Sequence, residues 1–160
     1  MSKLLKLVSA CLLAALLGLG FAQPALADVS IRDAKVADLY VRDENPTLAQ
    51  LEKQFAAFWN PNIGIDPKVE VSLHGDKARP ALERVMQYGK TMDFFSIQGR
   101  AVGGVNKSGN TLSVRVEGLM AGFPANSTTY HLVRENGLWK YDWKKICAEM
   151  ECADNPDFGY

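Results

Sequence analysis

Two histidines, His74 and His131, are the only imidazoles in the 160-residue chain, and Asp76 and Glu135 are the acids nearest to them in sequence. Such a set suits proton transfer, provided that a base, an orienting partner and a dry pocket coincide. On an extended segment His131 shares its side with Thr129 and Val133, whereas Tyr130 and Leu132 point the opposite way, so either set can line an interior. Asp93 and Tyr88, near the end of a predicted helix, are the next acid and phenol to consider. No motif links the histidines. A histidine on a sheet surface (His131) or in a glycine-flanked turn (His74) accounts for each more simply than a catalytic base does. Residues 154–159 have acids at the wrong spacing for a calcium loop, a proline between them and no closing glutamate. The chain shows no phosphate-binding glycine loop, nucleophile elbow or paired Cys-x-x-Cys motif, so neither a metal nor another cofactor is expected.

The aromatic residues are more regular. Asn136-Gly137 is the preferred pair for a two-residue type I′ turn, and after it Trp139, Tyr141 and Trp143 alternate with Lys140, Asp142 and Lys144. On a strand this puts three rings on one face and three charges on the other, with Asp142, like Glu117 in an earlier strand, toward solvent. Such a row either lines a ligand pocket, together with Tyr130 and His131, or fills a core, and filling is the commoner use. Phe55, Phe58, Trp59, Phe94, Phe95 and Phe123 are candidates to share that core.

These side chains need elements to hold them. Thr47-Leu48-Ala49-Gln50 matches a capping box, and Leu48, Leu51, Phe55 and Phe58 recur at helical spacing until Asn60-Pro61. Residues 62–75 carry a short apolar alternation and are expected to form a bent or two-part strand. A second helix is expected over 76–88, starting near Ala78 so that Pro80 falls in its first turn, with Leu82, Val85 and Met86 inward and Gly89 in the C′ position. Segments 94–102, 111–120, 127–135 and 138–145 read as strands separated by Gly103-Gly104, Ser108-Gly109-Asn110, Gly122-Phe123-Pro124 and Asn136-Gly137. Four strands joined by short turns make an antiparallel meander, and the helices cover its concave face. The expected fold is α+β, a curled antiparallel sheet forming a cone-like roll on a long first helix and a second helix.

Lys3 and Lys6, the apolar run from Leu12 to Phe21 and Ala25-Leu26-Ala27 form an export leader cleaved after Ala27. The run is too short for a membrane span. Cys11 sits in a lipidation-like Val8-Ser9-Ala10-Cys11 sequence, but most of the apolar run follows it. The chain then divides into a leader (1–27), a loosely ordered arm (28–44), a single roll domain (45–153) and a polar tail (154–160). Near-neutral charge offers nothing for nucleic acid or an anionic membrane. After cleavage Cys147 and Cys152 remain, and in an oxidising compartment they are expected to pair, provided that no continuous helix runs through both.

Several segments resemble a known family: Pro46-Thr47-Leu48-Ala49-Gln50-Leu51, Asn60-Pro61-Asn62-Ile63, Gly89, Val114-Arg115-Val116-Glu117-Gly118, and the stretch from Val133 to Gly137-Leu138-Trp139. From Pro46 to Met150 the chain resembles the mycobacterial low-molecular-weight secreted antigens, within the nuclear-transport-factor-2-like (cystatin-like) superfamily. It departs in a glycine-rich stretch reduced to Gly75, in its two closing cysteines and in the tail beyond Cys152. The resemblance implies a secreted, cell-envelope or culture-medium protein without an established activity, so it brings no catalytic residues. The wider superfamily includes isomerases and dehydratases that work inside the cone. The expectation is therefore a secreted binding protein for a small apolar ligand or an envelope protein, with a small isomerase- or dehydratase-like enzyme as the alternative.

Overall fold

The computed structural model describes residues 30–91, 93–119 and 126–150. The expected leader, Phe123, Cys152 and the polar tail lie outside the described residues. Helix α1, Leu48–Trp59, begins as its sequence dictates: the Thr47 hydroxyl accepts from the Gln50 amide, and the Gln50 side chain accepts from the Thr47 amide at 2.8 Å. Leu51, Phe55 and Phe58 face inward, and the helix stops at Asn60 before Pro61. It lies against a four-stranded antiparallel sheet in the order β1 (Gln98–Ser108), β2 (Thr111–Leu119), β3 (Asn126–Glu135) and β4 (Leu138–Tyr141). Leu112, Val114, Val116, Tyr130 and Leu132 supply its buried face, and the exposed Arg115 and Glu117 alternate with the valines. The last hairpin turns at Asn136 (φ 52°) and Gly137 (φ 76°), the left-handed pair that a type I′ turn requires. This is the α+β meander the sequence implies.

Five local expectations are corrected. Residues 62–75 do not form a strand: they contain a short helix α2, Ile65–Glu70, followed by a single parallel bridge between Ser72 and Tyr141. The apolar alternation conceals an Ile65/Val69 pair at helical spacing, and Pro67 stands in the first turn, where its missing N–H costs nothing.

Helix α3, Gly75–Thr91, is longer at both ends than expected. It starts where the His74 carbonyl accepts from the amides of Lys77 and Ala78, which leaves Pro80 one turn inside. Gly89 is not a C′ residue. It is buried within the helix, where a β-carbon would stand 2.6 Å from the Phe94 ring.

The 94–102 segment opens with a 3₁₀ turn, Phe94–Ser96, before β1, and Gly103-Gly104 lies inside the strand. Val102 pairs with Arg115 and Asn106 with Ser113, so residues 103–105 oppose Val114 alone; Gly103 (φ 85°) supports this bulge.

The aromatic strand ends at Tyr141. Asp142 accepts from the Lys145 amide at 3.2 Å and caps helix α4, Trp143–Glu149. Asp142 is only 8% exposed rather than on a solvent face.

The arm, finally, is firmly held. Ile31, Leu39 and Val41 are buried, and its carbonyls are gripped by the body: Ala34 by Asn60 Nδ2 (3.1 Å), Leu39 by Gln54 Nε2 (2.9 Å), Val41 by the Trp139 amide (3.1 Å) and Asp43 by Trp139 Nε1 (2.8 Å). Arg32 lies over the Phe95 ring at 4.3 Å. Few apolar residues suffice because backbone bonding completes the anchorage, and that pairing also covers the outer edge of β4.

Candidate functional site

The roll interior is the natural place for a site, and aromatic rings fill it. Tyr141 and Trp143 have centroids 5.1 Å apart, Phe58 and Trp143 4.7 Å, Tyr130 and Tyr141 5.7 Å, and Phe55 and Tyr130 5.4 Å. Trp143 joins this cluster from the first turn of α4, and its indole N–H donates to Ser72 Oγ at 2.8 Å. Trp139 is fully buried but is directed at the arm. Of the expected ligand-lining residues, Tyr130 and Tyr141 face the residual cavity, beside Leu51, Glu52, Gln54 and Phe55. That cavity is about 10 Å³, room for one water molecule. Burial pushes both phenols above their ordinary range, so they stay protonated near neutrality.

His131 lies on the opposite sheet face. Its Nε2 is 3.1 Å from Glu149 Oε1, and it borders an open hollow of about 240 Å³ with Ser113, Asp142 and Lys145. His74 sits in the turn before α3 with φ 52°. Asp93 borders a second open hollow of about 500 Å³ together with Asn62, Lys90 and Phe95, whereas Tyr88 is 66% exposed and does not line it. The structure thus brings neither histidine to the interior and does not join Asp93 to Tyr88. Cys147 is buried in α4, which ends at Glu149.

Three polar residues that sequence reading did not single out are buried. Glu52 accepts from the Ala101 amide at 2.7 Å. Gln54 donates to the carbonyls of both Leu39 and Trp139 at 2.9 Å. Lys68 is 0% exposed, with its ammonium 2.8 Å from the Asn60 carbonyl and 3.1 Å from Met86 Sδ. Burial lowers Lys68 to about 8. Its location at the carbonyl end of α1 explains how a lysine without a carboxylate partner among the described residues is tolerated there. Nothing local in the sequence marks these three, since each is buried by elements distant in the chain. Among the described residues, no cluster of three or more His, Cys, Asp or Glu side chains is placed to hold a metal, and no helix is long and apolar enough to cross a membrane.

The elements define an α+β domain in which an open antiparallel meander is covered on one face by helices. Residues 44–157 match the family model of the low molecular weight antigen MTB12, C-terminal domain, and the chain belongs to that family. No curated protein and no solved structure matches it.

Proposed function

We propose that the protein is an exported, non-catalytic binding or interaction protein of the cell envelope or extracellular space, built on a nuclear-transport-factor-2-like roll. One observation carries this: the interior is occupied by side chains down to about 10 Å³, whereas ligand pockets for small molecules measure several hundred Å³. An isomerase or dehydratase in the cone would need convergent polar groups around a substrate-sized space. Tyr130, Tyr141 and Glu52 line the cavity, but it is of about a single water's volume. Contact with a small apolar ligand or an envelope protein would then fall on the outer surface.

The leader residues Lys3, Lys6 and Ala25-Leu26-Ala27 favour release at Asp28, three residues before Ile31, the first buried side chain among the described residues. A bridge between Cys147 and Cys152 would pin the tail, and the end of α4 at Glu149, between the two cysteines, supports it.

The functional test is proton exchange. Mature protein incubated in D₂O with small ketones, hydroxy acids and enols is expected to leave their carbon-bound protons at background rates, as read by NMR. Exchange above background that is lost in Tyr130→Phe or Glu52→Gln protein of unchanged fold would replace this function with the enzyme.

A further inference from the structure

We propose that Met86 is an oxidation site for peroxides, and that the Lys68 ammonium holds the oxygen of the sulfoxide so formed. Lys68, on α2, is 0% exposed, and its Nζ donates to two atoms. One is the Asn60 carbonyl at the end of α1, 2.8 Å away, and the other is Met86 Sδ on α3, 3.1 Å away. From α1 the ammonium thus meets a backbone carbonyl and from α3 a thioether. Among the described residues no charged group pairs with it, and burial alone lowers its proton affinity.

A thioether is a weak acceptor, so one bond of a buried cation is directed at a poor partner. The sulfur's side chain is not sealed in: Met86 is only partly buried where it packs against the core. A peroxide arriving there is attacked by a sulfur lone pair. The S–O bond forms as the O–O bond breaks, and the proton on the transferred oxygen passes to the departing one. The sulfur is oxidised by two electrons to the sulfoxide, and the peroxide is reduced to water. The new oxygen is bonded to an atom already 3.1 Å from Nζ, and the flexible methionine torsions let it replace the sulfur as acceptor. A sulfoxide disrupts an ordinary apolar core. Here it meets a buried ammonium, so oxidation strengthens the contact between α2 and α3. The bond favours the charged amine, so the folded-state value of Lys68 rises from about 8 toward that of the unfolded chain. Below pH 8, where burying the charge costs stability, part of that loss is removed.

Treatment of the mature protein with hydrogen peroxide tests this, with peptide mass spectrometry to locate the added oxygen and Met150, 48% exposed, as the marker of reaction. Met86 is expected to gain one oxygen while the protein stays folded. The Lys68 Cε resonance should then titrate higher by roughly one pH unit or more, and the urea midpoint at pH 7 should rise. In Met86→Leu protein the same treatment should leave the Lys68 titration where it was. In Lys68→Leu protein oxidation of Met86 should lower the midpoint, because the polar oxygen then has no ammonium to meet it. Met86 left unreacted when Met150 is fully converted, a Lys68 titration that oxidation does not move, or a midpoint that falls equally with and without Lys68 would each overturn the proposal. The wild-type mapping and titration decide it alone if a variant does not fold.

Discussion

The ring of Phe55 rests on the backbone of Gly99 so closely that a β-carbon there would stand 2.2 Å from a ring atom. Helix α1 and strand β1 meet at this point, and Glu52, on the same helix, caps the neighbouring Ala101 amide. A methyl group at Gly99 must push either the ring or the strand aside. Gly99→Ala should destabilise the fold by about 1–3 kcal/mol, the usual cost of overpacking. Urea denaturation measures it, and adding Phe55→Leu should restore part of the loss. An unchanged midpoint in the single variant would mean that the ring moves freely.

Lys68 makes stability depend on pH with a definite sign. Its folded value of about 8 lies below the ordinary 10.5 of the unfolded chain. Above 10.5 the amine is neutral in both states. As pH falls the unfolded chain binds the proton first, so stability drops until the folded state is also protonated below about 8, by up to roughly 3 kcal/mol. The wild-type protein should accordingly gain on Lys68→Met between pH 8 and 10.5, and at pH 7 the variant should be at least as stable as the wild type. Parallel stability curves for the two proteins would remove the buried charge from the account.

Thr47 opens α1 through a reciprocal pair of bonds with Gln50. Thr47→Ala should cost about 1 kcal/mol, and Thr47→Ser should recover most of it. Equal losses for both would point to the methyl group rather than the hydroxyl.

Trp139→Ala should cost about 3–5 kcal/mol, since the side chain is wholly buried and carries a bond to the arm. Amide exchange in residues 39–43 should accelerate more than in α3. A loss of less than 1 kcal/mol would contradict its core position.

Changes at His131, Asp93 and Tyr88 should behave differently. His131→Ala breaks only a partly exposed pair with Glu149, and neither Asp93 nor Tyr88 is buried. Each substitution, including Asp93→Asn and Tyr88→Phe, should shift stability by no more than about 0.5 kcal/mol. Turnover of a substrate that disappears with any of them while the fold survives would favour an enzyme.

The elements legible in the sequence are those specified by neighbouring residues. Thr47 and Gln50 lie one helical turn apart, Asn136 and Gly137 are adjacent, and the alternation in β2 is continuous. Where two structures use the same residues, the sequence could not separate them. Asp142 serves as an outward strand residue or as a helix cap, and Gly103 as a turn or as a bulge. The rings show the same ambiguity: Tyr141 and Trp143 meet in the core although the chain changes from strand to helix between them. The interior itself was least visible. Glu52, Gln54 and Lys68 have side chains that normally face solvent, and their burial depends on the arm, on β1 and β4, and on α3, all remote in sequence.

The body grips the arm largely by its carbonyl oxygens, and every residue type presents the same backbone oxygen. Among the described residues of the arm only Ile31, Leu39 and Val41 commit buried side chains; Arg32 packs over Phe95, while residues 33 and 35–37 face water. Those exposed positions are free to drift in charge, size and polarity without loosening the belt. Along this edge the molecule can change what it presents to its surroundings while keeping its architecture.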